Sequence, residues 1–299
     1  MTEAENGIDR FAVLFKRTTS LPTLPHAATS LINAINSGEA SAIHLEKIIV
    51  TDPMLCAMVV RVAAANFSQS PPDSLRMAIL RLGQREIRSI AISLAVKRVL
   101  HEDPNGAFDV SRYARHSLMV GFIARYLFAR RKKLQSFHSS WSADEIFAAG
   151  VLHDISVPLL ARVAPSEFNR VILLARRTGQ SFRATFRQIY QCELCELGGV
   201  VAKMWDLPSV FTDTMLNMYE PWRAPEELVA LSTLSYADYL ADLFGAGIED
   251  WEISRSPLIE AELEVGIPPQ EQSLVKEFVN VHVEAMIAPM IAPPPNRLR

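Results

Sequence analysis

Glycine is scarce, 12 residues in a chain of 299, and no glycine-rich loop that could cradle a phosphate can be drawn from them. Cysteine is scarcer still. Three of them, an odd number in a long chain, argue against a disulfide framework and for a reducing compartment. Positive charge is not in excess: the formal net charge is −3, which removes any global electrostatic case for nucleic acid or an anionic membrane as partner. The opening Met1-Thr-Glu-Ala-Glu-Asn6 lacks the basic-then-apolar order of a secretory signal. No uninterrupted apolar run reaches the roughly 18 residues of a membrane span; residues 228–243 come nearest and are broken by Asp238 and Asp242. A cytoplasmic protein is expected.

What is present is apolar residue at helical spacing. With 49% hydrophobic and 21% charged residues, the chain can bury a sizeable core. Strand-like alternation is rare, and segment after segment repeats at i, i+3 and i+4, so the fold class is all-α. Residues 1–20 read as a short amphipathic helix with Phe11, Leu14 and Phe15 on one side, followed by an extended Leu21-Pro-Thr-Leu-Pro25 connector. Ala28, Leu31, Ile32 and Ile35 form the stripe of the next helix, closed near Ser37-Gly38. Asp52-Pro53 is a helix start, with the Asp as cap and the Pro in the first turn. The run from Met54 to Ala65 is apolar enough to be buried on most sides.

Asp103-Pro-Asn-Gly106 is a strong turn cluster, and the domain boundary is placed there. The expected architecture is two packed helical halves, 10–104 and 105–290, with a flexible Pro-rich tail over 291–299. In the second half, Arg130-Arg-Lys-Lys133 closes a helix, where cations suit the dipole. Ser142-x-x-Glu145 reads as a capping box. Further helices are expected over 167–177, 185–205, 209–219, 225–243 and 272–288.

At the end of the small, apolar run Phe147–Leu152 stand His153 and Asp154. Buried polar groups cost free energy unless they are paired or coordinated. Adjacent helical positions point about 100° apart, so the two can share an ion only if it sits off the helix end and other helices complete the set. His116 on the preceding helix and Asp238 in the apolar run after residue 230 are the candidates. Two imidazoles and two carboxylates suit Mn, Fe, Zn or Mg rather than a thiolate-seeking metal. Asp242, one turn beyond Asp238, is expected to face solvent. Cys192-Glu-Leu-Cys195 is a lone CxxC and reads as core. His26, His44, His101, His138 and His282 have no partners at useful spacing.

The order His116, His153-Asp154, Asp238 resembles the H…HD…D signature of the HD superfamily of metal-dependent phosphohydrolases. Leu21-Pro-Thr-Leu-Pro25, Thr51-Asp-Pro-Met-Leu55, Ala78-Ile-Leu-Arg-Leu-Gly83, His116-Ser-Leu118, Gly150-Val-Leu-His-Asp154 and Trp205-Asp-Leu-Pro208 follow one another as in an HDOD domain, a resemblance spanning roughly residues 15–245. It implies an HD-like helical bundle in the second half. It also implies bacterial signal transduction, often tied to two-component or second-messenger pathways such as those of cyclic dinucleotides.

The chain departs from the catalytically competent HD-GYP relatives. Their Gly-Lys after the dipeptide is replaced by Ile155-Ser-Val157, and positions where they carry further histidines hold Leu194, Met218 and Tyr219. Ala64-Ala65 stands where HDOD sequences often have Asn-Ser. A two-metal site is therefore expected to be dismantled, leaving at most one divalent metal on His116, His153, Asp154 and Asp238. The expectation is a regulatory module acting through a protein or ligand. Its signalling partner would act in trans, because no receiver or output domain is seen, and self-association is left open. The alternative is a divergent phosphohydrolase acting on a nucleotide or cyclic dinucleotide, with Asp154 as ligand and base.

Overall fold

A computed structural model describes residues 11, 26–38, 40–67, 69–70, 72–99, 108–134, 139–205, 207–248 and 272–291. Among them every regular element is a helix and none is a strand. The connector at 21–25, the turn at 103–106 and the tail from 292 lie outside the described residues, as do Leu14 and Phe15 of the expected first helix. Residue contacts divide the chain into two compact units. One joins Met1–Thr23 to Val99–Gln272; the other joins Leu24–Arg98 to Ser273–Arg299.

The second of these opens with α1 (His26–Asn36) and α2 (Ala42–Ile49). Asp52 starts α3 (Pro53–Asn66) as expected: its carboxylate accepts from the Met54 and Leu55 amides at 3.0 and 3.2 Å. This satisfies two of the donors that a helix start leaves without partners. The expectation that α3 is buried on most sides does not hold. Leu55, Met58, Val59, Val62 and Ala63 make one covered stripe, while Met54 and Val60 face outward. Helices α2 and α14 pack on α3.

Next, α4 (Leu75–Val99) turns a corner at Gly83, whose φ of 76° and ψ of 164° no side-chain-bearing residue adopts without strain. The last helices, α13 (Gln272–Phe278), a π-helical turn Val279–Val283 and α14 (Glu284–Ile291), return to this unit, α14 lying on α3. A single division near residue 104 does not anticipate that return.

The other unit is built from α5 (Val110–Leu134), α6 (Ala143–Leu152), α7 (Ser156–Val163), α8 (Pro165–Thr178), α9 (Phe182–Tyr190), α10 (Leu194–Met204), α11 (Ser209–Asn217) and α12 (Leu228–Ala241). Phe11 is buried here, 5.4 Å from the Phe186 ring and edge-on to Tyr190 at 5.0 Å. The single helix expected over 185–205 is two. Gln191 takes a left-handed φ of 56° and closes α9, and Glu193 then opens α10 through a capping box with Glu196. The stretch Ala143–Val163 is long and apolar enough for a membrane span by composition, but its most apolar 18 residues are 78% buried within the protein. It is a core segment, broken between α6 and α7 at His153–Ile155.

Candidate metal centre

Helices α5 and α6 cross at two glycines. A Cβ on Gly150 would stand 2.8 Å from the Gly121 Cα, and one on Gly121 would stand 2.9 Å from the Phe147 carbonyl oxygen. The backbones therefore touch, which only glycine permits. His116 lies on α5 just before this contact, and His153 caps α6 just after it. The start of α6 is fixed by the expected capping box: Ser142 Oγ accepts the Glu145 amide at 3.2 Å and Glu145 accepts the Ser142 amide at 2.7 Å. Helix α12 packs on both α5 and α6 and carries Asp238.

Both imidazoles are anchored the same way. His116 Nδ1 lies 3.1 Å from the Ala246 carbonyl and His153 Nδ1 lies 2.7 Å from the Gly150 carbonyl. A carbonyl oxygen can only accept, so each Nδ1 carries the hydrogen and donates it. Each Nε2 then presents its lone pair inward. Both Nε2 atoms are buried and neither has a hydrogen bond. They approach one atom, Asp238 Oδ1, at 3.1 Å for His116 and 3.5 Å for His153. Donor atoms of His116, His153 and Asp238 all lie within 4.8 Å of one another.

Two lone pairs facing a carboxylate repel, so something positive must lie between them. In its absence a proton takes that place. Burial pushes the His153 pKa down, but Asp154 and Asp238 outweigh it and hold the ring protonated well above its ordinary range. Burial also pushes Asp238 and Asp154 up. The imidazoles overcome this at Asp238; His153 and Arg183 do so at Asp154, and both carboxyls lie below the usual range.

Asp154 stands beside this trio, its Oδ2 3.4 Å from His153 Nε2. It sits in the turn between α6 and α7. Asp242 corrects the expectation that it faces solvent. The chain leaves α12 in a π-helical turn, Asp242–Ala246, that keeps its Oδ1 3.6 Å from His116 Nδ1. Burial and the neighbouring Asp238 push its carboxyl up to about 6.

Sequence reasoning missed two residues. Tyr219 donates its hydroxyl to Asp154 Oδ2 at 3.3 Å, and Arg183 stacks on the Tyr219 ring. Tyr219 falls where catalytic relatives carry a histidine, and its phenol still offers a polar tip there. Nothing in the sequence around Arg183 marks it. Val157, Leu194 and Met218 are buried apolar side chains. Cys192 and Cys195 are free thiols, both pushed up by burial first, Cys192 to about 11, so neither is a ready thiolate. His26, His44 and His282 are exposed; His101 and His138 lie outside the described residues.

The chain is similar in fold to an HDOD domain protein of unknown function from Geobacter sulfurreducens (20% identity, 95% of this chain and 98% of that one, TM-score 0.71). It is similar also to a protein from Shewanella amazonensis named as a candidate phosphohydrolase (21% identity, 94% and 98%, TM-score 0.69). A third likeness is to a Marinobacter aquaeolei protein named as a candidate signal transduction protein (21%, 98% and 68%, TM-score 0.75). No curated protein matches the sequence. The HDOD domain profile matches residues 21–221, which takes in His116, His153 and Asp154 and stops short of Asp238. That match covers more than half of the chain, and the chain belongs to the HDOD domain family.

Proposed function

We propose that this protein is a cytoplasmic regulatory module of signal transduction, acting on a signalling partner in trans. In this reading His116, His153 and Asp238 hold one divalent cation. One observation carries the cation: two buried Nε2 atoms without hydrogen bonds, each oriented by a carbonyl on its own Nδ1, converge on one carboxylate oxygen. Two nitrogens and one oxygen, with Asp154 alongside, suit Mn, Fe, Zn or Mg. Buried Val157, Leu194 and Met218 support regulation over turnover, since none offers the nitrogen or oxygen donor that a second Mn, Fe, Zn or Mg ion takes, or a polar hydrogen for a phosphate oxygen. The name of the Marinobacter relative agrees with a signalling role, and three unbridged cysteines agree with a reducing compartment.

A second reading, metal-dependent phosphohydrolase, is favoured by one observation. A carboxylate, Asp154, stands beside the trio with its Oδ2 3.4 Å from His153 Nε2, within reach of a proton released there. A bound cation would supply Lewis acidity there; Asp154 would take the proton, and Tyr219 would hold Asp154 in place.

The experiment is metal analysis of protein purified without chelator, alongside His153→Ala and Asp238→Ala. Near-stoichiometric metal in the wild type and none in either variant is expected. A folded wild type that neither retains nor takes up Mn, Fe, Zn or Mg overturns the cation. Cleavage of phosphodiesters by the loaded protein, lost in Asp154→Asn, moves the conclusion from regulation to hydrolysis.

A further inference from the structure

Arg183 lies in the first turn of α9, whose N-cap Ser181 accepts the Ala184 amide. Its Cζ stands 3.3 Å from the centre of the Tyr219 ring. Among the described residues no carboxylate forms an ion pair with it, although its charge is felt at Asp154 and Asp238. Stacking occupies the face of a guanidinium. It leaves the N–H donors, which point outward in the plane, able to grip a second group. A fork of fixed geometry matches two oxygens of an oxyanion.

Tyr219 ties this fork to the metal centre. Its ring carries Arg183 on one face, and its hydroxyl donates to Asp154 Oδ2. The guanidinium is thus held at a set place beside the carboxylate that flanks His153.

Charge then selects the ligand. The carboxylates of Asp154 and Asp238 disfavour an anion at this place. A dication among His116, His153 and Asp238 offsets those charges. The site therefore holds an anion more tightly when the cation is present. The ligand must also show oxygens in more than one direction, one toward the cation and others toward Arg183. A tetrahedral phosphate does this, whether free or as an ester.

We propose that Arg183 is the anion-recognising side chain of this site, taking the oxygens of a phosphate-class ligand placed between it and the cation position. The inference rests on the cation reading above.

The test is calorimetric titration of the full chain with inorganic phosphate, with and without one equivalent of Mn2+, and a parallel Mn2+ titration of each protein. Phenyl phosphate as a second probe separates free phosphate from an ester as the preferred ligand. Phosphate binding to the Mn2+ form, at least tenfold weaker without Mn2+, is expected. Arg183→Met should weaken phosphate by about tenfold or more, the loss of a charge-assisted contact, with Mn2+ affinity unchanged within about twofold. Should Arg183→Met not fold, Arg183→Gln serves in its place. Mn2+-loaded wild type that binds neither probe overturns the proposal, as does unaltered phosphate affinity in a folded Arg183 variant. Failure to bind Mn2+ at all shows in the separate metal titration; it removes the cation reading and this inference with it.

Discussion

Gly121 and Gly150 meet backbone to backbone, and this contact sets how near His116 and His153 stand. Their rings are 5.4 Å apart, centre to centre. A methyl group on either glycine would have to push α5 and α6 apart, because it meets main-chain atoms that cannot swing away.

Gly150→Ala is therefore expected to destabilise the protein by about 1–3 kcal/mol, the usual cost of overpacking, and to weaken divalent metal binding. Asp52→Ala makes a useful companion. Losing that cap costs about 1 kcal/mol with no reason for a change at the metal centre. Urea melts and Mn2+ titrations of both variants check this; full metal affinity in Gly150→Ala would show that the crossing does not set the site.

Asp238→Asn removes the carboxylate that both Nε2 atoms approach. Metal binding should be lost. The apo protein should also lose on the order of 3 kcal/mol, the low end for breaking a buried pair, since the Asp238 side chain keeps 17% exposure. NMR titration of the His153 ring should show its pKa falling toward the ordinary 6.5, because one of the two carboxylates that raise it is gone. A ring pKa that stays high in the variant would assign the effect to Asp154 alone.

The pH dependence has a definite sign. His153 has a raised folded pKa, so its stabilisation is complete below 6.5 and is lost as pH climbs through the folded value. Asp242, raised to about 6, adds a loss of stability as pH rises from its ordinary 3.8 toward 6. Asp238 and Asp154, both lowered, act oppositely: their stabilisation is present above 3.8 and fades as pH falls through the folded values. Chelator-treated protein should thus melt at lower temperature at pH 8 than at pH 6. With Mn2+ the order should reverse, because the ion competes with the His153 proton. Thermal melts from pH 5 to 9, with EDTA and with Mn2+, decide it; parallel curves under the two conditions would count against a shared site.

Gln191→Gly should stabilise. A left-handed side-chain-bearing residue costs roughly 1 kcal/mol, and Gln191 sits at φ 56° closing α9. The cap bond from its amide to the Arg187 carbonyl, 2.9 Å, survives the change, while a side-chain bond to the Gln188 carbonyl is lost. The net expectation is a gain of about 0.5 kcal/mol, read as a higher urea midpoint. A lower midpoint would mean that the lost side-chain bond outweighs the strain.

These cases also show what the sequence can and cannot convey. Asp52-Pro53 and Ser142-x-x-Glu145 were legible because a cap is a local bargain between a side chain and the next three amides. The convergence of His116, His153 and Asp238 was legible through their order, not through any distance. Gln191 was not, since glutamine carries no signal for a left-handed turn and the apolar spacing runs on through 185–205. Asp242 was misjudged because the π-helical turn that keeps it beside His116 is set by tertiary contacts. Arg183 escaped notice for a related reason: its partner Tyr219 lies on another segment, and a stack between them leaves no trace in spacing.

The turn after α12 presents three successive carbonyls to α5. Arg115 donates to Gly245 at 2.9 Å, His116 to Ala246 at 3.1 Å and Arg112 to Gly247 at 2.7 Å. One of those three grips holds the ring whose opposite nitrogen faces the cation position. In the proposed cation-bound form, ion affinity and the order of this turn would be arms of one lever, and linkage would make their influence mutual. Whatever steadies residues 242–247 would raise that affinity, and whatever fills the site would slow amide exchange there by the same free energy. A tug on the backbone at that point would be read, across a single imidazole, as a change in metal affinity.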